Sequence, residues 1–300
     1  MNDNTKPTAN IGASAMLSKA RSLYRLYTPA PINRQSPLAR GLYRVWLAPA
    51  GLDGGPLVPE LMTGSRDLAG ALTNGPTWAG SPYGPVLTFD GSNDYVSVTN
   101  QTALPTTLTL AVRVRRTGNG GASGSFAVAK DSNAAGRSFA LGIDSSNQPY
   151  LEVNGSPQNS SYSGSALTLG QWYWLVWTWD GTYHRFYQNA AYICYGTTSL
   201  TTSTTPLTFG RRSYSGYEGY FPGQVSEVWL WSRAMSDGGV ALAANATSDV
   251  GAFVSQPAAY AGLFRRRDTR AWLYPTSPPP PPPPAGSGFP AAVVGGGYGW

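Results

Sequence analysis

The chain has 300 residues, of which only 12% are charged, well below the roughly 25% of ordinary soluble domains. Its 36 glycines, 25 prolines, 10 tryptophans and 18 tyrosines predict short strands joined by tight turns. A single cysteine, Cys194, excludes an intramolecular disulfide framework, and a single histidine, His184, argues against the usual His-based zinc sites and triads. No apolar run reaches the roughly 18 residues of a membrane span, and Met1–Ile11 lacks the apolar core of a secretory signal.

Charge is divided unevenly along the chain. Residues 1–45 carry seven Lys/Arg against one acid, and residues 264–274 carry four Arg against one acid. The intervening residues 46–263 hold ten basic and thirteen acidic side chains, so a mildly acidic body lies between two basic arms. Such arms can contact nucleic acid, an anionic membrane or an acidic protein surface, and composition alone does not choose among these partners.

The first arm contains one candidate helix. In Met16–Tyr27 the apolar residues Met16, Ala20, Leu23 and Tyr27 fall on one helical stripe. A helix this short needs a partner surface in order to fold, and the alternative is a tail without regular structure.

Strand-like segments begin at Gly41, and Leu42–Leu47 is the first of them. The runs Val86–Asp90 and Asp94–Val98 flank Gly91–Asn93, which predicts a tight hairpin. Alternation in Leu108–Arg115 predicts a half-buried strand whose arginines face solvent. Further candidate strands are Ser125–Lys130, Arg137–Ile143, Tyr150–Val153, Tyr183–Asn189, Leu207–Gly210 and Gln224–Trp231.

The strongest β segment is Trp172–Asp180, whose aromatic and β-branched residues suit a central strand packed on both faces. Helix signals inside the body are weak, although Ser236 can cap a short turn over Val240–Ala244. Many short strands separated by Gly, Asn and Ser turns predict an all-β antiparallel sandwich. The predicted organisation is a basic arm (1–40), a sandwich (41–250), a basic aromatic segment (251–277) and a polyproline and Gly-rich tail (278–300).

One set of segments makes the sandwich more specific. The segments are Ala71–Trp78, Leu87–Val96, Leu108–Val114, Trp172–Gly181, Arg185–Asn189, Pro206–Gly210 and Phe221–Ser236. Through these segments the sequence, from about residue 36 to residue 250, resembles laminin-G-like, concanavalin-A-like jelly-roll domains. The closing strand departs from the family pattern, because Ser226 stands at the usual acidic position and is followed by Glu227. The resemblance implies the fold, which carries many functions.

A looser resemblance concerns the whole arrangement. A domain of this kind, preceded by Ser36–Gly41 and followed by an Arg-rich and Pro-rich tail, is similar to proteins of tailed bacteriophages. It implies a non-enzymatic structural or adhesion protein of the virion, in decoration, head-fibre or tail-associated position, that displays a lectin-like domain toward host glycans. The alternative is a secreted or cell-surface bacterial carbohydrate-binding lectin.

The arms would dock on other virion proteins of the capsid or tail. The basic residues proposed for that docking are Lys19, Arg21, Arg25, Arg265, Arg266 and Arg267. No recognition helix or nucleic-acid motif accompanies the arginines, so nucleic-acid binding is a minor interpretation, and no membrane partner is expected.

Enzymatic hydrolysis is not expected. A glycosidase needs two carboxylates at a fixed separation, and the Glu-x-Asp-x-x-Glu pattern of laminarinase-type enzymes with this fold is absent.

Calcium is the one candidate cofactor. Asp90, Asn93 and Asp94 share a turn, and Glu227 could approach it from the closing strand. The alternative is that Asp and Asn bond their own backbone in this turn while Gly91 supplies a left-handed conformation.

Carbohydrate binding would use aromatic faces. The tryptophans of Trp172–Trp179 and Trp229–Trp231 are expected mostly in the core. Tyr214, Tyr217 and Tyr220, in a Gly-rich loop, are the candidate sugar contacts. For His184 a solvent-facing strand position is expected, and for Cys194 a small buried hydrophobic role.

Overall fold

The computed structural model of this protein describes residues 36–47, 56–82, 84–101, 103–132, 136–159, 161–213 and 218–246. The candidate helix Met16–Tyr27 and the segments 251–277 and 278–300 lie outside these residues, as do the docking residues Lys19, Arg21, Arg25 and Arg265–Arg267. The proposed domain boundaries therefore stay predictions.

Sixteen strands, one 3₁₀ turn (Arg66–Leu68) and one helix, α1 (Asp237–Ala246), make up the described fold. The strands are β1 (Leu42–Leu47), β2 (Leu57–Val58), β3 (Gly70–Thr73), β4 (Thr77–Ser81), β5 (Gly84–Asp90), β6 (Tyr95–Val98), β7 (Leu108–Arg116), β8 (Ser125–Ser132), β9 (Gly136–Ile143), β10 (Pro149–Val153), β11 (Ser156–Pro157), β12 (Trp172–Trp179), β13 (His184–Gln188), β14 (Ala191–Gly196), β15 (Leu207–Phe209) and β16 (Pro222–Trp231). Among the described helices, none is long and apolar enough to cross a membrane.

The strands form two eight-stranded antiparallel sheets. Sheet A has the order β14-β13-β12-β7-β16-β5-β4, with β1 beside β16, and sheet B has the order β11-β10-β9-β8-β15-β6-β3-β2. Residues of both sheets share one central hydrophobic cluster, in which Trp177 and Leu230 from sheet A meet Phe139 and Phe209 from sheet B. The predicted all-β antiparallel sandwich is therefore confirmed.

The prediction of a hairpin at Gly91–Asn93 is wrong. The strand before this turn, β5, pairs with β4 and β16 in sheet A, whereas β6 pairs with β3 and β15 in sheet B. The connection therefore crosses from one sheet to the other. Asp90 Oδ1 accepts hydrogen bonds from the backbone N–H groups of Ser92, Asn93 and Asp94, which would close a tight turn in either arrangement.

The outer face of sheet A carries a second hydrophobic cluster. Helix α1 supplies Val240 and Ala243 to it, and the sheet supplies Trp174 and Trp231. The Ser236 hydroxyl accepts a hydrogen bond from Gly239 N at 3.4 Å, so the predicted cap is present at the start of α1.

Because this face is covered, the expectation that the arginines of β7 face solvent is wrong for one of them. Arg113 is buried at 6% exposure, beside Thr109 and Ala111, which are fully buried. Arg115 is half-buried, and its Nε donates to the Gly170 carbonyl at 2.7 Å.

Candidate functional site

The outer face of sheet B carries a network of charged and polar side chains. Strand β10 places Leu151 and Val153 in the central core, and by alternation Tyr150 and Glu152 project from the opposite face. The neighbouring strands contribute Asp131 at the end of β8 and Arg137 at the start of β9. Arg212, which follows β15 by three residues, reaches the same place.

These five residues form one hydrogen-bonded network, called here the Glu152 cluster (Asp131, Arg137, Tyr150, Glu152 and Arg212). Glu152 Oε2 accepts from Arg137 Nη2 at 2.9 Å and from Arg212 Nη1 at 2.6 Å. The Tyr150 hydroxyl donates to Glu152 Oε1 at 2.9 Å, and Arg137 Nε lies 3.3 Å from Asp131 Oδ1. Both oxygens of Glu152 are therefore engaged.

Burial within the cluster is graded. The Arg212 side chain is 4% exposed and the Glu152 side chain 12%, whereas the Arg137 side chain is 28% exposed. Burial raises the pKa of Asp131, an effect that the Arg137 and Arg212 guanidinium groups oppose. Burial together with the Glu152 carboxylate raises the pKa of Tyr150, so this phenol stays a hydrogen-bond donor rather than a phenolate.

The stem of the Gly-rich loop (Arg211, Arg212, Gly219 and Tyr220) is joined to this cluster through Arg212. The Arg212 guanidinium carbon lies 4.4 Å from the centroid of the Phe126 ring, and the Phe126 backbone N–H donates to Gly219 O at 3.1 Å. Arg211 forms an isolated antiparallel bridge with Tyr220, and its guanidinium carbon lies 3.5 Å from the centroid of the Tyr95 ring.

Of the three candidate sugar-binding tyrosines, the structure describes one. Tyr220 is half-buried at the loop stem, where it pairs with Arg211, rather than fully exposed. Tyr214 and Tyr217 lie outside the described residues.

The structure keeps three of the candidate calcium ligands together and places the fourth elsewhere. Asp90, Asn93 and Asp94 lie in one turn, in which Asp94 Oδ2 accepts from Asp90 N at 3.1 Å. Backbone hydrogen bonds, the one from Ser92 N first, lower the pKa of Asp90, whereas burial raises that of Asp94. No group of three or more His, Cys, Asp or Glu side chains that could hold a metal occurs among the described residues. Calcium stays a prediction.

Glu227 lies five residues beyond Pro222, the residue of β16 that pairs with Asp90. At roughly 3.3 Å per strand residue this separates Glu227 from the Asp90 turn by about 16 Å. Its Oε1 accepts from Arg113 Nε at 2.7 Å, and its Oε2 accepts from the indole of Trp229 at 3.0 Å. Burial raises the pKa of Glu227, and the Arg113 guanidinium opposes that effect.

The single histidine and the single cysteine are both buried. The expectation of a solvent-facing His184 is wrong, because its side chain is 0% exposed, stacks on Trp179 at 4.0 Å and accepts from the indole of Trp177 at 3.0 Å. Cys194 is buried as expected, and its thiol donates to Gln158 O at 3.0 Å. Of the tryptophans expected in the core, all but the half-buried Trp172 are buried.

A family model described as the concanavalin A-like lectin/glucanases superfamily matches residues 90–241, half of the chain. The chain belongs to this superfamily. The match spans the strands of the Glu152 cluster and the closing strand β16. A search of the curated proteins finds no match.

Solved structures share the fold of this lectin-like chain at low identity. A mutant Trypanosoma rangeli sialidase that displays trans-sialidase activity is 12% identical with a TM-score of 0.53, covering 79% of this chain and 40% of its own. The binding domain of Paraclostridial Mosquitocidal Protein 1 is 10% identical with a TM-score of 0.52, covering 70% of this chain and 53% of its own. This chain spans well under two thirds of the length of these proteins, so the similarity shows the fold alone.

Sequence reasoning did not find the Glu152 cluster. The one available signal was the alternation in Tyr150–Val153, which places Tyr150 and Glu152 on the face opposite Leu151 and Val153. Nothing in the sequence indicated that Arg212, 60 residues further on, would reach them.

Proposed function

We propose that this protein is a non-catalytic glycan-binding module that uses the Glu152 cluster and the adjoining loop stem, and that it is displayed on a bacteriophage virion. The observation that carries the glycan proposal is the partly buried, hydrogen-bonded arrangement of Arg137, Tyr150 and Glu152. Membership of a lectin and glucanase superfamily supports it.

The chemistry of the cluster suits a sugar. Guanidinium and carboxylate groups form directional, charge-assisted hydrogen bonds, and a sugar offers hydroxyls that both donate and accept. Sites for small ligands combine a few fixed polar groups with aromatic surface. In this structure the guanidinium of Arg137 and the carboxylate of Glu152 provide the polar groups, and the ring of Tyr150 lies beside them. Tyr220 adds a second ring on the loop stem, where it pairs with Arg211.

The same contacts argue for binding without hydrolysis. A glycosidase needs one carboxylic acid that donates a proton and a second carboxylate that acts as base or nucleophile. Here both carboxylates of the cluster are ion-paired with Arg137, and Glu152 is also paired with Arg212. These ion pairs occupy the carboxylate oxygens that a catalytic acid or base would need free.

The glycan proposal is tested by screening the purified full-length chain on a glycan array and measuring the affinity of each hit in solution. We expect Arg137→Ala to weaken the hit about tenfold, which corresponds to one lost charge-assisted hydrogen bond. Arg66→Ala, at an exposed position on the 3₁₀ turn, is the matched control and should bind like the wild type. Equal affinity of the Arg137→Ala variant and the wild type would contradict the proposed site.

The virion proposal is supported by charge segregation in the sequence, with basic segments at 1–45 and 264–274 around a mildly acidic body. These arms would attach the module to capsid or tail proteins. Mass spectrometry of purified phage particles should find the chain at stoichiometric copy number. Its absence from particles, with peptides in the medium or the cell envelope instead, would contradict the virion role and favour a secreted lectin.

A further inference from the structure

Sheet A ends in an exposed aromatic surface that the proposed site does not use. The side chains of Tyr183 and Tyr192 are each 42% exposed, and that of Tyr195 is 36% exposed. Together with Arg185 they form what is called here the tyrosine patch, on strands β13 and β14 and the turn before β13.

An irregularity in the strand pairing places these side chains together. The register between β13 and β14 shifts between Phe186 and Tyr187, so that Ile193 and Cys194 both point into the central core. In a regular strand Tyr192 and Tyr195, three positions apart, would lie on opposite faces of the sheet. Bulges re-aim side chains in this way, and here the shift places both tyrosines on the outer face.

The patch is held in position by its own contacts. The Tyr183 and Tyr195 rings meet edge to face, with centroids 6.3 Å apart and an angle of 63° between the ring planes. The Arg185 guanidinium carbon lies 5.4 Å from the centroid of the Tyr183 ring. Asp180 Oδ1 accepts from the backbone N–H groups of Thr182 and Tyr183, which fixes the turn that carries Tyr183.

The charges facing the patch are balanced in a way that disfavours an anionic partner. Arg185 Nη1 lies 2.6 Å from Asp180 Oδ2, so its positive charge is already paired. A second carboxylate, Asp237 at the start of α1, accepts from the hydroxyl of Tyr187, whose ring lies 5.9 Å from that of Tyr192. The surface therefore offers aromatic faces and a carboxylate–guanidinium pair without excess positive charge.

We infer that the tyrosine patch is a second saccharide-binding surface, separate from the Glu152 cluster, and that it takes neutral hexose oligosaccharides. An aromatic face offers a sugar ring a large apolar contact, and the neighbouring polar groups fix its orientation. The inference rests on the proposed glycan-binding function and adds a second site on the opposite sheet. With one site on each sheet, a single chain would engage two saccharides and gain avidity toward a dense glycan surface.

The test uses the full-length chain with four neutral probes, the hexasaccharides of cellulose, mannan, laminarin and starch, followed by titration calorimetry and saturation-transfer NMR. Two saccharides are expected per chain. Tyr183→Ala and Tyr195→Ala should remove one of them or weaken it about tenfold, whereas Tyr195→Phe, which keeps the ring, should stay within about twofold of the wild type. Leu169→Ala, at an apolar position that is 54% exposed, is the control and should leave both saccharides in place.

The variants separate the two sites. If Arg137→Ala abolishes all binding while Tyr183→Ala and Tyr195→Ala change nothing, the second surface is wrong and the first stands. If the tyrosine variants abolish all binding and Arg137→Ala changes nothing, the second surface is supported, and the glycan array with the Arg137→Ala variant decides whether the first site stands. If none of the hexasaccharides binds, the inference is overturned, and the glycan array then decides whether the proposed function survives.

Discussion

Arg113 and Glu227 form a buried ion pair across strands β7 and β16, with Arg113 Nε 2.7 Å from Glu227 Oε1 and both side chains almost fully enclosed. The guanidinium carbon of Arg113 also lies 5.0 Å from the centroid of the Trp174 ring, and Glu227 accepts from the Trp229 indole. A charge pair this deep is sensitive to the loss of one partner, because the other charge then stays buried without compensation.

Arg113→Met should lower the free energy of unfolding by about 3–5 kcal/mol. The double variant Arg113→Met/Glu227→Leu should lose less, because no unpaired charge remains buried. The control is Arg185→Met at the exposed Asp180 pair, which should change stability by less than about 1 kcal/mol. Urea unfolding measures all three, and equal losses for the single and double variants would contradict the pairing.

The buried imidazole of His184 makes stability depend on pH. Burial lowers the pKa of His184 from 6.5 to about 4, and the Thr198 carbonyl only partly opposes this. The folded state therefore favours neutral histidine, and the stability it contributes is present above pH 6.5 and is lost as pH falls through 4. Between these limits the wild type should lose about 3 kcal/mol that His184→Gln does not lose. Urea unfolding of both proteins at pH 7, 5 and 4 measures this difference, and parallel curves would contradict it.

Lys130 is a fully buried cation whose ammonium group donates to backbone carbonyls of Gln101 and Thr205. Burial lowers the pKa of Lys130 from 10.5 to about 8. Folding therefore favours the neutral amine, so stability should rise as pH rises from 8 toward 10.5.

At pH 7 Lys130→Met should be less stable than the wild type by about 1–3 kcal/mol, because two buried carbonyls lose a donor. The gap should widen as pH rises from 8 to 10, since only the wild type gains stability from deprotonation. Unfolding midpoints of both proteins at pH 7, 8.5 and 10 measure this difference in stability. A difference that narrowed as pH rose would contradict the prediction.

Two glycines form a matched pair for substitution. A Cβ at Gly142 in strand β9 would collide with the backbone of Ser125 and Phe126, whereas a Cβ at Gly238 in α1 would meet nothing within 4 Å. Gly142→Ala should destabilise by about 1–3 kcal/mol, and Gly238→Ala should stabilise by up to about 1 kcal/mol. Thermal unfolding measures the stability change of each variant. A change in the same direction for both would show that the space around Gly142 does not decide the effect of the substitution.

The strand positions could be predicted from the sequence because alternation and turn residues are local signals. Strands β1, β12 and β16 begin at or within two residues of the predicted starts Leu42, Trp172 and Gln224. The sheet to which each strand belongs could not be predicted, as the turn after Asp90 shows. The Asp90 side chain accepts hydrogen bonds from the backbone N–H groups that follow it. It can do so whether the next strand pairs with β5 or crosses to the other sheet.

The burial of polar side chains could not be predicted from local sequence patterns either. The solvent position expected for Arg113 assumed an open outer face, but α1 and the segments around Leu38 and Leu61, which are distant in sequence, pack in the hydrophobic cluster on that face. His184 alternates with polar neighbours, and only its contacts with Trp177 and with Thr198 make burial tolerable. The Glu152 cluster could not be predicted either, because its members come from four segments that are separate in sequence.

This chain is proposed to bind a glycan without cleaving it. The most direct measurement titrates the full-length chain with the strongest glycan-array hit in a calorimeter and then analyses the recovered saccharide by chromatography. Saturable binding that Arg137→Ala weakens about tenfold, with the saccharide recovered intact, is the predicted result. Shortened saccharide products that accumulate with time, or affinity that is unchanged in Arg137→Ala, would contradict it.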